Sequence, residues 1–152
     1  MIYKTETCTS VQQLSIRTIL EQLPQWFGIP SALDEYVKES ENFTLISAYD
    51  TTNMIGFVSL KPTSETTLEV YVMGILPMHH RQGIGKELIK QVKMYAQTHG
   101  IHYLQVKTLS PTVKDTGYLS TYAFYKANGF EDVEVLPLWD EWNPCLMMIQ
   151  KV

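Results

Sequence analysis

The stretch Met73-Gly74-Ile75-Leu76-Pro77-Met78-His79-His80-Arg81-Gln82-Gly83-Ile84-Gly85-Lys86 constrains this chain more than any other, because it carries a strand through a glycine turn into a strong helix. The residues Thr66 to Leu76 alternate as a strand does, with Leu68, Val70 and Val72 expected on one face and Glu69, Tyr71 and Met73 on the other. Gln82 to Thr98 then puts Ile84, Leu88, Val92 and Tyr95 or Ala96 on one helical stripe, with Gly100 as the stop. A helix start carries unpaired N–H groups and partial positive charge, and glycines there let an anion approach with no Cβ in the way. Arg81, Lys86, Lys90 and Lys93 stand against the single acid Glu87. The same residues also read as a glycine-assisted turn with a solvated basic face. Spacing excludes two phosphate motifs: a P-loop needs a glycine where His80 stands and Ser or Thr where Glu87 stands, and a dinucleotide fingerprint needs a glycine at Leu88.

Around this turn the chain reads as an ordered series of short elements. Ile2 to Glu6 alternates as a strand, and Val11, Leu14, Ile16, Ile19, Leu20 and Leu23 are spaced for a helix with Thr9 or Ser10 as N-cap and Pro24 closing it. Pro30 opens a second helix to about Ser40, where Ser31 and Asp34 resemble a capping box. Phe43 to Tyr49 and Met54 to Leu60 are strands joined through Asp50 to Asn53, so with the strand before the glycine turn they form an antiparallel meander. Beyond the long helix, Tyr103 to Leu109 returns as a strand and completes a right-handed βαβ unit. Tyr118 to Ala127 is a short helix ended by Asn128 and Gly129, followed by strands at Phe130 to Leu138 and Cys145 to Gln150. The order β-α-α-β-β-β-α-β-α-β-β requires a mixed α/β sheet with helices on its faces, an α+β arrangement that is neither doubly wound nor a barrel.

Composition sets the outer limits. A chain of 152 residues, 45% hydrophobic, fits one domain spanning 1–152 with one core. A net charge of −4 argues against a nucleic-acid partner, whose phosphates would demand basic excess. No apolar run is long enough for a membrane span, and Met1 to Ser10 lacks the apolar segment of a signal peptide, so a cytoplasmic protein is expected. Cys8 and Cys145 form no CxxC pair and have no nearby histidine, so neither a metal site nor a disulfide framework is expected.

The run His80-Arg81-Gln82-Gly83-Ile84-Gly85, opening the helix after the fourth strand, resembles the pyrophosphate signature of the GNAT superfamily of acetyl-CoA-dependent N-acetyltransferases, with His80 where that family places Gln or Arg. A second landmark, Ala123-Phe124-Tyr125-Lys126-Ala127-Asn128-Gly129-Phe130, is similar to the family's helix that bears a tyrosine and runs into Gly-Phe, and the order of elements matches over nearly the whole chain. The resemblance implies a GNAT-like fold and acetyl-CoA as co-substrate. Pantetheine would lie along Met73, Gly74 and Ile75, the pyrophosphate on the amides of Arg81, Gln82, Gly83, Ile84, Gly85 and Lys86, and the thioester carbonyl on a backbone N–H near Ile75.

An ammonium acceptor must lose a proton before attack, and the departing thiolate needs one. By resemblance Tyr125 is the acid and Glu69, six residues before Ile75, is the base in the position used by histone-type members. Tyr118 and Tyr122 share the spacing of Tyr125 and also read as an aromatic core stripe, while His79, His80 and His102 are rival bases by chemistry. Neither cysteine has a base partner, which favours direct transfer in a ternary complex over an acetyl-cysteine route. The loop Leu138-Trp139-Asp140-Glu141-Trp142-Asn143-Pro144 lies where such proteins shape the acceptor site, so Asp140 and Glu141 are expected to hold a cationic amine between two tryptophans. The resemblance implies an amine of a small molecule, a peptide or a protein as acceptor; a non-catalytic coenzyme A-binding regulatory module is the competing reading, and a homodimer is left open.

Overall fold

A computed structural model describes residues 1–152, folded as a seven-stranded sheet with two helices on each face. The elements are β1 (Ile2–Thr7), α1 (Ser10–Glu21), α2 (Pro30–Glu39), β2 (Thr44–Asp50), β3 (Asn53–Pro62), β4 (Thr67–Ile75), α3 (Ile84–Thr98), β5 (Tyr103–Leu109), α4 (Thr116–Ala127), β6 (Glu131–Leu136) and β7 (Cys145–Lys151). The expected order is present, with short 3-10 turns added at Ser40–Asn42 and Pro77–His79. The sheet runs β1-β2-β3-β4-β5-β7-β6, and every neighbouring pair is antiparallel except β4 with β5. No helix is long and apolar enough to cross a membrane.

Local chemistry explains most boundaries. Thr9 caps α1, its N–H donating to the Gln12 side chain at 3.1 Å. The capping box expected from Ser31 and Asp34 is absent, because α2 begins one residue earlier at Pro30. Proline's fixed φ suits the first helical position, so Ile29 becomes the N-cap and Ser31 lies inside the helix. The glycine-turn helix starts at Ile84 and not at Gln82, because Arg81 (φ 59°) and Gly83 (φ 80°) both take left-handed backbone.

Two clusters fill the two sides of the sheet. One packs Leu88, Ile89 and Val92 of α3 with Tyr125 and Phe130 against Val58, Leu60, Leu68, Val70, Leu104 and Val106. The other packs Ile16, Ile19 and Leu20 of α1 with Leu33 and Val37 of α2 against Leu45, Phe57 and Val72. The separation of Val70 from Val72 corrects the expected face assignment of this strand. Ser59 pairs with Val72 and Leu60 with Val70, so Tyr71 is an extra residue, a β-bulge that reverses the alternation. Val72 therefore joins Glu69 and Tyr71 toward α1 and α2, while Met73 and Ile75 join Leu68 and Val70 toward α3. Gly74 faces α1, where a Cβ would come within 3.2–3.3 Å of Ile19, Leu20 and Leu23; close helix packing requires a glycine there.

Candidate functional site

The bulge at Tyr71 coincides with a parting of the sheet. β4 and β5 pair in parallel only from Thr67–Tyr103 to Val70–Val106, although β4 continues to Ile75 and β5 to Leu109. Beyond Val70 the two strands leave one edge of β4 without a strand partner. The gap opens into a cleft of about 640 Å³, walled by this edge, the glycine turn, α4, the segment between α1 and α2, and Trp139 of the β6–β7 loop.

The glycine turn forms one end of the cleft. Glu87 N–H makes the first intrahelical bond of α3, to Gly83 O at 3.0 Å, so the amides of Ile84, Gly85 and Lys86 precede it with no helical carbonyl to take them. A Cβ on Gly83 would meet nothing within 4 Å, so the space before these amides is open. The two glycines differ in purpose. A Cβ on Gly85 would lie 2.8 Å from the Phe124 ring, so this glycine admits α4 against α3 and brings Tyr125 alongside the turn. Exposed Lys86 and Arg81 line this end. His80, where the family's usual residue is Gln or Arg, folds its Nε2 back to 2.6 Å from Ile75 O and lies edge-on to Trp26, fastening the turn to the end of β4.

Tyr125 lines the cleft from α4, buried between the rings of Phe124 and Phe130. Burial, reinforced by the Tyr118 and Tyr36 phenols, pushes its hydroxyl well above the ordinary value of 10, so it stays protonated throughout the neutral range. Tyr118 is pushed up to about 12, mainly by burial, and donates its hydroxyl to Trp26 O at 3.0 Å. Tyr122 turns away and donates to the Asp132 carboxylate, so only Tyr118 and Tyr125 of the tyrosine series reach the cleft. Thr108, buried on β5, contributes a wall hydroxyl with no hydrogen-bond partner in the protein.

Of the residues expected from the sequence, Met73, Gly74, Ile75, Arg81, Gly83, Ile84, Gly85, Lys86 and Tyr125 all line this one cleft. Four do not. Gln82 donates to Met78 O outside it. Glu69 is buried behind the wall, and Lys107, which does line the cleft, sits in front of it with its Nζ 3.1 Å from the carboxylate. Asp140 accepts from Trp142 N–H and Asn143 Nδ2, closing its own loop turn, and Glu141 is exposed; neither reaches the wall. Reading the sequence overlooked Lys107, Thr108, Trp26, Phe27, Tyr36 and Tyr71. Only Lys107 left a trace, alternating with Gln105 between the buried Leu104, Val106 and Thr108 of β5.

Residues 12–130 match the model of the acetyltransferase (GNAT) family. Among solved structures, a GNAT-family protein from Desulfovibrio desulfuricans superposes with a TM-score of 0.83 at 19% identity, covering 99% of this chain and 98% of that one. An aminoglycoside 6'-N-acetyltransferase complexed with coenzyme A gives 0.78 at 18% identity over 99% and 97%. The ribosomal-protein-S18-alanine N-acetyltransferase of Escherichia coli gives 0.75 at 13% over 99% and 94%. At these identities the likeness is one of fold.

Proposed function

The chain belongs to the GNAT acetyltransferase family, and from that premise we propose that it is a cytoplasmic N-acetyltransferase that moves an acetyl group from acetyl-CoA to the amine of a small molecule or peptide. One observation carries the reading: a single cleft joins an anion cradle, an unpaired strand edge and a buried, protonated phenol. The residues suit the co-substrate. The open space before Gly83, the free amides of Ile84, Gly85 and Lys86 and the cations of Arg81 and Lys86 would hold a pyrophosphate. The edge of Met73 to Ile75 would hold the amide-bearing arm by strand-like hydrogen bonds, and the unpartnered Thr108 hydroxyl is available to a polar group of it. A structural neighbour complexed with coenzyme A supports the same assignment.

The reaction needs a neutral amine, a polarised carbonyl and a stabilised thiolate. Backbone N–H near Ile75 would polarise the carbonyl where negative charge grows. Tyr125 would serve the thiolate. With its pKa held far above the thiol's ~8.5, it keeps its own proton and donates a hydrogen bond to the sulfur as the carbon–sulfur bond breaks, and the departing thiolate takes its proton from solvent. Glu69 would take the amine's proton through water passing Lys107, since that ammonium stands between it and the cleft. Direct transfer is favoured because Cys8 and Cys145 are both buried and lie outside the cleft.

The test is calorimetry with coenzyme A together with amine-dependent thiol release from acetyl-CoA. Gly83→Glu puts a carboxylate into the cradle and, at φ 80°, adds backbone strain of ~1 kcal/mol. The variant should stay folded and bind coenzyme A at least tenfold more weakly. Equal binding by variant and wild type moves the phosphate site elsewhere, and binding without thiol release for any amine makes the protein a non-catalytic coenzyme A module.

A further inference from the structure

One wall of the cleft is built from aromatic rings. Phe27, Tyr36 and Tyr71 pack edge-to-face in sequence, with ring centres 5.7 Å and 5.3 Å apart. Trp26 donates its indole N–H to Thr121 on α4 and receives the Tyr118 hydroxyl on its carbonyl, so the α1–α2 segment is tied across the cleft. Trp139 reaches in from the β6–β7 loop. Set among these six rings, no carboxylate lines the cleft anywhere. Its charged lining residues are Arg81, Lys86 and Lys107; of the acids around it, Glu69 is paired with Lys107, Asp115 caps α4 and Asp140 closes its own turn, while Glu35 and Glu39, near enough to help raise the Tyr71 phenol, lie outside the lining.

This lining sorts amines by their body. A polycation entering here would bring its non-reacting ammoniums against a lining that presents no anion, under repulsion from Lys107. A peptide would bring amide groups that the rings cannot satisfy. A molecule with one amine on a flat aromatic body meets edge-to-face and stacking partners along this wall. Its single ammonium, before it loses a proton, can be held by ring faces.

We propose that the acceptor is an arylalkylamine, a single primary amine on a short chain attached to an aromatic ring, selected by the wall of Trp26, Phe27, Tyr36, Tyr71, Tyr118 and Trp139. The proposal rests on the acetyltransferase reading and names the substrate class of that same site. The acceptors of the aminoglycoside acetyltransferases with this fold are polyamines, so the two classes are separable in one assay.

The experiment follows thiol release from acetyl-CoA with phenylethylamine and tryptamine against kanamycin, spermidine and a peptide beginning with alanine. The expected kcat/KM for the arylalkylamines is at least tenfold above the other three. Trp139→Ala, in a loop outside the core, should raise the arylalkylamine KM about tenfold and leave the acetyl-CoA KM within twofold; Tyr71→Leu should act in the same direction. A higher kcat/KM for kanamycin, spermidine or the peptide overturns the proposal while leaving the acetyltransferase reading intact. An amine KM that follows Asp140→Asn with Glu141→Gln and ignores Trp139→Ala overturns it too, as does the absence of turnover with any arylalkylamine. Loss of acetyl-CoA binding in calorimetry is the separate result that removes the underlying reading.

Discussion

Removing one oxygen from Tyr125 separates its chemistry from its packing. In Tyr125→Phe the ring keeps its edge-to-face contacts with Phe124 and Phe130, at centre separations of 5.5 Å each. The lost hydroxyl makes no hydrogen bond inside the protein, so nothing is left unpaired. An unsatisfied buried hydroxyl costs ~1–3 kcal/mol, but this one faces a cleft that water enters, so its removal should stabilise by less than ~1 kcal/mol. For a chain of this length that is a Tm rise of zero to about 4 °C. Catalysis should respond in the opposite sense. A hydrogen bond to a developing thiolate is worth ~1.5–3 kcal/mol, which converts to a fall in kcat of about 10- to 150-fold. The assay is thiol release at saturating acetyl-CoA, with viscosity dependence used to establish that chemistry limits turnover, alongside a thermal melt. An unchanged kcat under chemistry-limited conditions refutes the assignment of Tyr125 to the thiolate. A Tm drop beyond about 5 °C would refute the claim that the hydroxyl is unpartnered.

Three further outcomes are expected. Glu69→Gln should flatten or shift the acidic limb of kcat/KM, because a base acts only when ionised; identical limbs in variant and wild type would leave Glu69 as the structural partner of Lys107. His80→Ala removes the contact between Nε2 and Ile75 O that joins the glycine turn to β4, and should raise the acetyl-CoA KM about three- to tenfold with kcat changed less; an unaltered KM would mean the turn holds its shape without it. At alkaline pH the fold should lose stability from about pH 10, the value of an unfolded tyrosine. Tyr71 and Tyr118, pushed up to about 12 chiefly by burial, and Tyr125, raised by the same cause, keep protons that the unfolded chain releases. Their contribution is whole below pH 10 and is lost as pH rises through the folded values, with Tyr125 alone giving a slope of about 1.4 kcal/mol per pH unit. Tyrosinate absorbance rising together with loss of circular dichroism would bear this out, and ionisation of all nine tyrosines in a protein still folded would contradict it.

The helical spacing of Val11 to Leu23, the meander chemistry of Asp50 to Asn53 and the stripe of Ile84, Leu88 and Val92 are local patterns, and each element they predict is present within a few residues. The glycine turn was equally legible, since a backbone needing left-handed φ at Gly83 and a close approach at Gly85 admits almost no other residue. The family resemblance implies a pantetheine site along Met73 to Ile75, but the bulge at Tyr71 behind the altered face of Val72 has no signal in the sequence. A single extra residue leaves no mark in a run of apolar side chains, and its position is decided by pairing with β3, more than ten residues away. The aromatic wall was invisible for a similar reason. Trp26, Tyr36, Tyr71, Tyr118 and Trp139 come from five separate segments, and each alone reads as an ordinary core or loop aromatic. Asp140 and Glu141 drew attention because charge between tryptophans is conspicuous in sequence, yet the loop spends Asp140 on its own turn. Local periodicity and glycine sterics act within a few residues and are written along the chain; which side chains face one cavity depends on strand register and helix docking, which only the closed tertiary structure decides.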